Sequence, residues 1–366
     1  MTTKSPHKIF PAPLLLIIIA IAVTCTACNK EEDKLTDETC IVFTDSNLEN
    51  AIRENLSLAD QKITFGIIKD VDSLHLGYQE ITSLGGIENF KNLEVLITYG
   101  NRNISDLTPL MELEKLRFLN CEENTVGDIS ALGELPLLEY INFEANDISD
   151  ISGLATADNL KTAYLHINNI ADLSPLAGNN SIELLMLWDN QVADISTVST
   201  LENLEQLNII NNKVSDISPI EALDKMTSLA ITGNPITELS TLNSHKNLEH
   251  LSFGHHSTTT IPDLTNLTNL TNLTISEMDC ADTEFIRPFT KLELLYIINS
   301  ELVNIQGLSE LSDLEILLLN SNEITDVTPL AALTQLAYVE LKNNPISQED
   351  KEWLIASLPN TVVVFD

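Results

Sequence analysis

Cysteine is scarce in this chain of 366 residues: there are five, and the three beyond residue 28 lie too far apart to form a disulfide framework. Cys121 and Cys280 occupy slots of a repeating pattern that otherwise hold aliphatic side chains, so both read as small buried hydrophobes. Cys40 has no partner near it in sequence. Basic residues are few as well, 19 against 54 acidic ones, for a formal net charge of -35. A field of that sign repels a phosphate backbone and excludes nucleic acid as a partner. No phosphate loop, serine-hydrolase elbow or zinc-protease motif is present. The recurring Ser, Thr and Asp sit at turn positions rather than converging on a pocket, so the chain reads as a non-enzyme with no catalytic residue, metal site or cofactor to assign.

What the sequence does have is a period. Ten times in succession, from Leu119 to Val339, it returns after 22 residues to an aliphatic or Ala position that opens the same pattern. A period of that size means a solenoid. The unit is clearest in LNIINNKVSDISPI from Leu207, and earlier turns open at Leu74 and Leu96. The single 23-residue step, from Leu96 to Leu119, places an extra residue in the loop around Asn101 to Asn103, and thirteen strand positions result.

Each repeated residue type has a physical task. The Leu-x-Leu pair sends two side chains of a short strand inward, because successive side chains alternate faces. Five places after the opening residue stand Asn124, Asn146, Asn168, Asn190, Asn212, Asn234, Asn322 and Asn344, whose amides can serve backbone groups freed where the strand turns. Two places further an aliphatic residue fills the core, from Val126 to Ile346. Then come Asp, an aliphatic residue, and Ser or Thr before Pro, as in Asp172 to Pro175; Ser/Thr-Pro suits a helical N-cap and first helical position. The pattern is that of a leucine-rich repeat. Too few residues remain per turn for a full helix, so the expected fold is an α/β solenoid, a horseshoe with a parallel concave sheet and short 3₁₀ turns on its convex side.

The D-I-S-P-L signature, the 22-residue period and the asparagine ladder resemble the internalin family of bacterial surface leucine-rich repeat proteins, over roughly residues 40 to 366. FTDSNLENAIRENL, from Phe43 to Leu56, resembles the helical cap before the first internalin repeat, with Leu48, Ile52 and Leu56 on its apolar face. The sequence departs from the best-known members in showing no immunoglobulin-like domain after the repeats and no C-terminal sorting signal. The resemblance therefore implies ligand binding without naming a ligand.

The first 28 residues carry Lys4 and Lys8, an apolar run from Leu14 to Val23, and CTAC ending at Cys28. The run is short for a membrane span and reads as a lipoprotein signal peptide with lipidation at Cys28, Cys25 being the competitor. NKEEDKLTDE follows, with nothing to bury, and reads as a disordered acidic tether over residues 29–38. Lys30 with Glu31, Glu32 and Asp33 resembles the export signal that directs Bacteroidota lipoproteins to the outer face of the outer membrane. The expected organisation is an N-terminal helical cap over 39–73, repeats over 74–345 and a C-terminal cap over 346–366. In that last cap Ser347 N-caps a helix whose Trp353, Leu354 and Leu358 cover the final repeat, and Val362 to Phe365 add a closing strand.

Four histidines, His245, His250, His255 and His256, lie close in sequence, but the register scatters them and a locally irregular turn is the simpler reading than a metal site. His256, Met278 and Ser300 stand where ladder asparagines are expected.

Candidate contact residues are those flanking the inward pair, which point out from the concave sheet. In the N-terminal half they are Tyr99, Phe118, Tyr140, Tyr164, His166, Met186 and Trp188, with Glu122, Glu144 and Asp189 among them. Aromatic and Met enrichment with interspersed acid is interface-like. A smooth stretch from Ser228 to Ser276 separates them from Leu294, Tyr296, Ile298, Ile316, Leu318 and Tyr338. The competing reading is that several of these side chains merely cover the sheet. The leading expectation is a lipid-anchored protein on the cell surface that grips a protein ligand, of host or bacterial origin, on the Tyr99 to Trp188 group. A carbohydrate-binding lipoprotein for polysaccharide capture and an envelope scaffolding factor are the alternatives, and contact with the membrane is through the lipid anchor only.

Overall fold

The structure, a computed structural model, describes residues 35–256 and 260–366. The signal peptide, Cys28 and the tether through residue 34 lie outside the described residues. The compact unit runs from Asp37 to Asp366. It begins two residues before the expected cap boundary, because Asp37 is pinned: its carbonyl accepts from Gly66 N–H at 3.0 Å and its carboxylate meets Lys69 Nζ at 2.9 Å.

Fourteen strands, from β1 (Ser73–His75) to β14 (Val362–Val364), form one parallel sheet in chain order. All thirteen opening residues are paired in register with their counterparts, Leu74 with Leu96, Leu96 with Leu119, and onward to Val339 with Val363. The 23-residue step leaves this register intact. Every strand is short, and most run three residues with the central one buried. The core is a continuous stack of aliphatic side chains with Phe90, Phe143, Phe253 and Phe289 filling its wider places. Burying each Leu or Ile contributes roughly 1.5–3 kcal/mol. Between strands the chain returns through short 3₁₀ turns such as Ser174–Leu176 and Thr328–Ala332, as the repeat length predicts. The fold is a leucine-rich-repeat horseshoe.

The ladder is built as the pattern demands. Asn168 Nδ2 donates to the carbonyls of Phe143 at 2.8 Å and Leu165 at 3.1 Å, and its Oδ1 accepts from Ile148 N–H at 2.9 Å. Asn101 belongs to the ladder too, serving Leu76 and Thr98 carbonyls and the N–H groups of Gln79 and Ile81. One position before each ladder slot the backbone is left-handed, as at Glu123, Ala145, Ile167, Asp189 and Asn211, so the same sharp turn recurs. A β-branched residue there is strained, and Ile167 has φ of 54°.

The convex turns correct one expectation and agree with another. Ser or Thr does not hold the cap position, since Ser174 is the first residue of its 3₁₀ turn and Leu173 precedes it; the periodic acid serves the turn instead, Asp172 Oδ1 accepting Ser174 N–H at 2.8 Å. The same bond recurs from Asp128, Asp194, Asp216 and Asp326, whose hydrogen bonds from the following Ser or Thr hold their carboxyls below the ordinary range.

Both ends are closed. α1 (Ser46–Asn55) buries Leu48 and Ile52, and Leu56 is half-buried beside them. Its N-cap, Asp45, also accepts from Thr82 N–H at 2.6 Å and Thr82 Oγ1 at 2.8 Å, tying the cap to the first repeat. Burial opposes the Asp45 charge, but hydrogen bonds from Thr82, Asn47 and Ser83 outweigh it and lower its pKa. α2 (Phe65–Ile68) adds one short turn to this cap. At the other end α3 (Gln348–Ser357) starts at Ser347, whose Oγ accepts Asp350 N–H at 3.1 Å. Leu354 and Leu358 cover the last repeat. Trp353 does not: it is 40% exposed, because it falls on the outer side of α3.

Candidate recognition surface on the concave face

The parallel register turns sequence positions into columns. Phe118 of β3 (Phe118–Asn120) lies beside Tyr140 of β4 (Tyr140–Asn142), and Asn142 beside Tyr164 of β5 (Thr162–Tyr164), which in turn neighbours Met186 of β6 (Leu184–Met186). Adjacent strands stand about 4.8 Å apart, near the stacking distance of aromatic rings, so identical positions in successive repeats bring rings together.

Two of the four ring contacts are of this kind, and the other two join Tyr140 to Tyr164 diagonally and Tyr164 to His166 within one repeat. Phe118 and Tyr140 stack at 4.0 Å between centroids with planes 6° apart. Tyr140 meets Tyr164 at 5.7 Å, Tyr164 meets His166 edge-on at 6.0 Å, and His166 stacks on Trp188 at 4.6 Å. The five rings form an oblique ridge across four repeats. Aromatics make up only 5% of the chain, so this concentration is not a consequence of composition. Such ring pairs contribute about 0.5–1.5 kcal/mol each beyond their buried area, which fixes the ridge in one conformation.

Carboxylates run along one side of it. Glu144 Oε2 lies 2.8 Å from His166 Nε2, Glu122 Oε2 accepts from Asn142 Nδ2 at 3.0 Å, and Asp189 Oδ1 accepts from Asn211 Nδ2 at 2.8 Å. Burial, with Tyr164 and Glu122 near, raises the Tyr140 phenol above its ordinary pKa, so it stays a neutral donor. No Lys or Arg occupies an inner-face position of β3 to β6.

The ring contacts also divide the expected set. Phe118, Tyr140, Tyr164, Met186 and Trp188, with Glu122 and Glu144, are half-buried and present part of each side chain. His166 is 5% exposed and sits within the stack, its Nδ1 buried without a hydrogen bond, so it positions its neighbours rather than offering a contact surface. Tyr99 does not join the ridge. It packs edge-to-face with Tyr78 at 5.0 Å, and Tyr78, 63% exposed, was not among the expected residues. Tyr78 occupies the left-handed slot of its repeat, outside the alternation that defines inner-face positions, and its type at that slot was the available signal. The second group, from Leu294 to Tyr338, is half-buried without ring pairing among its members in the described residues.

Among the described residues the four histidines do not converge on one cluster, although His255 and His256 border the same depression. His256 Nε2 accepts Gly254 N–H at 3.1 Å and its Nδ1 bonds the Asn234 carbonyl at 2.9 Å, a partial ladder substitute. His255 pairs with Glu277, while His245 is buried on the return segment. Burial lowers the pKa of both His245 and His256.

A family model for leucine-rich repeats, in two copies, matches residues 202–244. No curated protein sequence matches the chain. Among solved structures, the internalin InlF of Listeria monocytogenes is 29% identical, covers 88% of this chain and 88% of its own, and superposes with a TM-score of 0.69. Internalin C2 of the same organism is 29% identical over 60% of this chain and 99% of its own, at 0.58. In repeat and fold the chain is internalin-like. A leucine-rich-repeat protein of Leptospira interrogans, 23% identical over 82% of this chain and 85% of its own with a TM-score of 0.70, shares the fold.

Proposed function

We propose that this protein is a recognition module that binds another protein on its concave face, with the ridge from Phe118 to Trp188 as the main contact. The observation that carries the reading is the unbroken run of five rings, half-exposed along most of its length and bordered by Glu122 and Glu144. A pre-packed aromatic surface loses little conformational entropy on binding, and its rim carboxylates favour a partner with basic side chains. A single sugar ring would use one or two of these faces; a ridge across four repeats fits a larger surface. The similarity to internalins agrees with a recognition role.

The test is affinity capture with the unit Asp37–Asp366 against host extracellular proteins and envelope extract, alongside Tyr164→Ala/Trp188→Ala. Loss of one partner in a variant that melts normally is expected. Retention on polysaccharide arrays that vanishes in the same variant, with no protein captured, replaces the protein ligand with a glycan. Capture unaffected by the variant removes the ridge from the site.

We further propose that the chain is held at the outer membrane by a lipid on Cys28 and displayed on the cell surface. The signal sequence and the Lys30 to Asp33 run support this, and no helix among the described residues is long and apolar enough to cross a membrane. Cys28→Ser should abolish incorporation of labelled fatty acid, and protease should shave the wild type from intact cells. Protection from protease would place it inside the envelope, as a scaffolding role requires.

A further inference from the structure

The irregular repeat has a pocket of its own. A depression of about 550 Å³, at the rim where β1 and β2 (Val95–Ile97) end, is lined by Tyr78, Glu80, Asn101, Arg102 and Asn103. It lies at the 23-residue step, the loop that carries the extra residue. Tyr78 forms a flat wall. Its ring rests on Gly100, where an added Cβ would stand 2.2 Å from Tyr78 Cε1, and it is braced edge-on by Tyr99.

Arg102 supplies the charge. Of the four arginines, Arg53, Arg117 and Arg287 each pair with a glutamate. Arg102 has no side-chain hydrogen bond or ion pair among the described residues, although the chain carries 54 carboxylates and Glu80 lines the same pocket. Its backbone is held in the left-handed region, φ 64°, as are Glu80 at 56° and Tyr78 at 55°. Glu80 and Arg102 stand one place after the ladder slot, where the backbone is left-handed here and at Glu301 but not in the turns from Asn124 to Asn234. Asn101 is consumed by the ladder, which leaves Arg102, Glu80 and Asn103 to meet a ligand.

We infer that this pocket binds a carboxylate carried beside a flat apolar face, the guanidinium of Arg102 gripping the acid while the face lies on Tyr78. A guanidinium matches a carboxylate with two parallel N–H···O bonds, and Glu80 and Asn103 are placed for a neighbouring N–H or hydroxyl. The site is separate from the ridge and does not depend on the function proposed for it.

The test uses N-acetylphenylalanine, its carboxamide and glucuronate as probes, titrated against the chain and followed by ligand-observed NMR. The acid should bind at least about tenfold more tightly than the amide, and Arg102→Gln should erase that difference while Tyr78→Ala weakens both probes. Arg102 is exposed, so the variant should melt like the wild type. Binding of glucuronate with the same Arg102 dependence supports the carboxylate site and assigns its source to acidic sugars rather than peptide termini. Equal affinity for acid and amide, a response unaffected by Arg102→Gln, or no binding of any probe at about 10 mM overturns it.

Discussion

The repeats that keep the asparagine ladder differ from the three that lose it in the length of their strands. In the ladder repeats from Cys121 to Asn234 each strand has three residues; β9 (His250–Gly254), β10 (Asn272–Ser276) and β11 (Leu294–Ile298) have five. The ladder amide binds the carbonyl at the end of its own strand and the equivalent carbonyl one repeat back, as Asn168 does with Leu165 and Phe143. Those carbonyls are thereby drawn into the turn. Where His256, Met278 and Ser300 replace Asn, backbone pairs with backbone two residues further, Phe253 with Ile275 and Ile275 with Ile297. The left-handed turn survives in both regions, at His255, Glu277 and Asn299 as at Ile167. The turn therefore does not need the ladder, and the ladder's contribution is to satisfy buried polar groups where the sheet stops early.

That difference can be stressed in several ways. The largest effect is expected from Asn168→Ala, which strands the Ile148 N–H and the Phe143 and Leu165 carbonyls in the core. The loss should be roughly 3 kcal/mol or more in a denaturant melt, since each orphaned buried group costs about 1–3 kcal/mol. Met278→Ala should cost less in the same melt, about 2 kcal/mol for the cavity left, because this buried Met makes no side-chain hydrogen bond among the described residues.

Restoring the ladder residue should not help the other region. Met278→Asn puts a polar amide where the longer strands already satisfy their backbone, so a loss on the order of 1–3 kcal/mol is expected rather than a gain. A stabilised variant would show that the long strands are a poor substitute for the ladder. Asp45→Ala, which unties the N-terminal cap, should cost about 1–2 kcal/mol. Its folded pKa is lowered, so this contribution is present above the ordinary carboxylate range and is lost as pH falls through the lowered value.

Acidification separates the two regions more finely. Burial depresses the folded pKa of His256, so the unfolded imidazole takes a proton near pH 6.5 while the folded one resists. Its contribution is therefore complete above that pH and declines below it, whereas a ladder amide does not titrate. Hydrogen exchange should show Gly254 N–H, which His256 Nε2 accepts, opening more readily at pH 5 than at pH 7, with Ile148 N–H unchanged. The smallest effect is at the strained turn: Ile167→Asn, a residue found at the same slot at Asn211, should gain ~1 kcal/mol or less.

The solenoid was legible because every one of its features repeats. Thirteen inward positions, the caps at Asp45 to Leu56 and Ser347 to Leu358, and the closing strand follow from local patterns that point the same way. The misses fall where the pattern is single rather than periodic. Asn101 stands five places after Leu96, in the ladder's own register, and only its nearness to the extra residue of the 23-residue step makes it read as loop; Trp353 falls outward because a ten-residue helix over one repeat has room for only one covering face. For the recognition surface, alternation identified which residues share the concave face, but not which rings touch. That Tyr99 turns to Tyr78 while His166 sinks between Tyr164 and Trp188 depends on side-chain packing across three repeats.

The central claim is that ligand sits on the ridge and not on the smooth middle repeats. A photo-crosslinking residue placed at Met186, beside the rings but outside their stack, and in a second protein at Thr274, would report this directly once a partner is captured. Adducts from position 186 and none from 274 are the expected result; adducts from 274 alone would contradict the account.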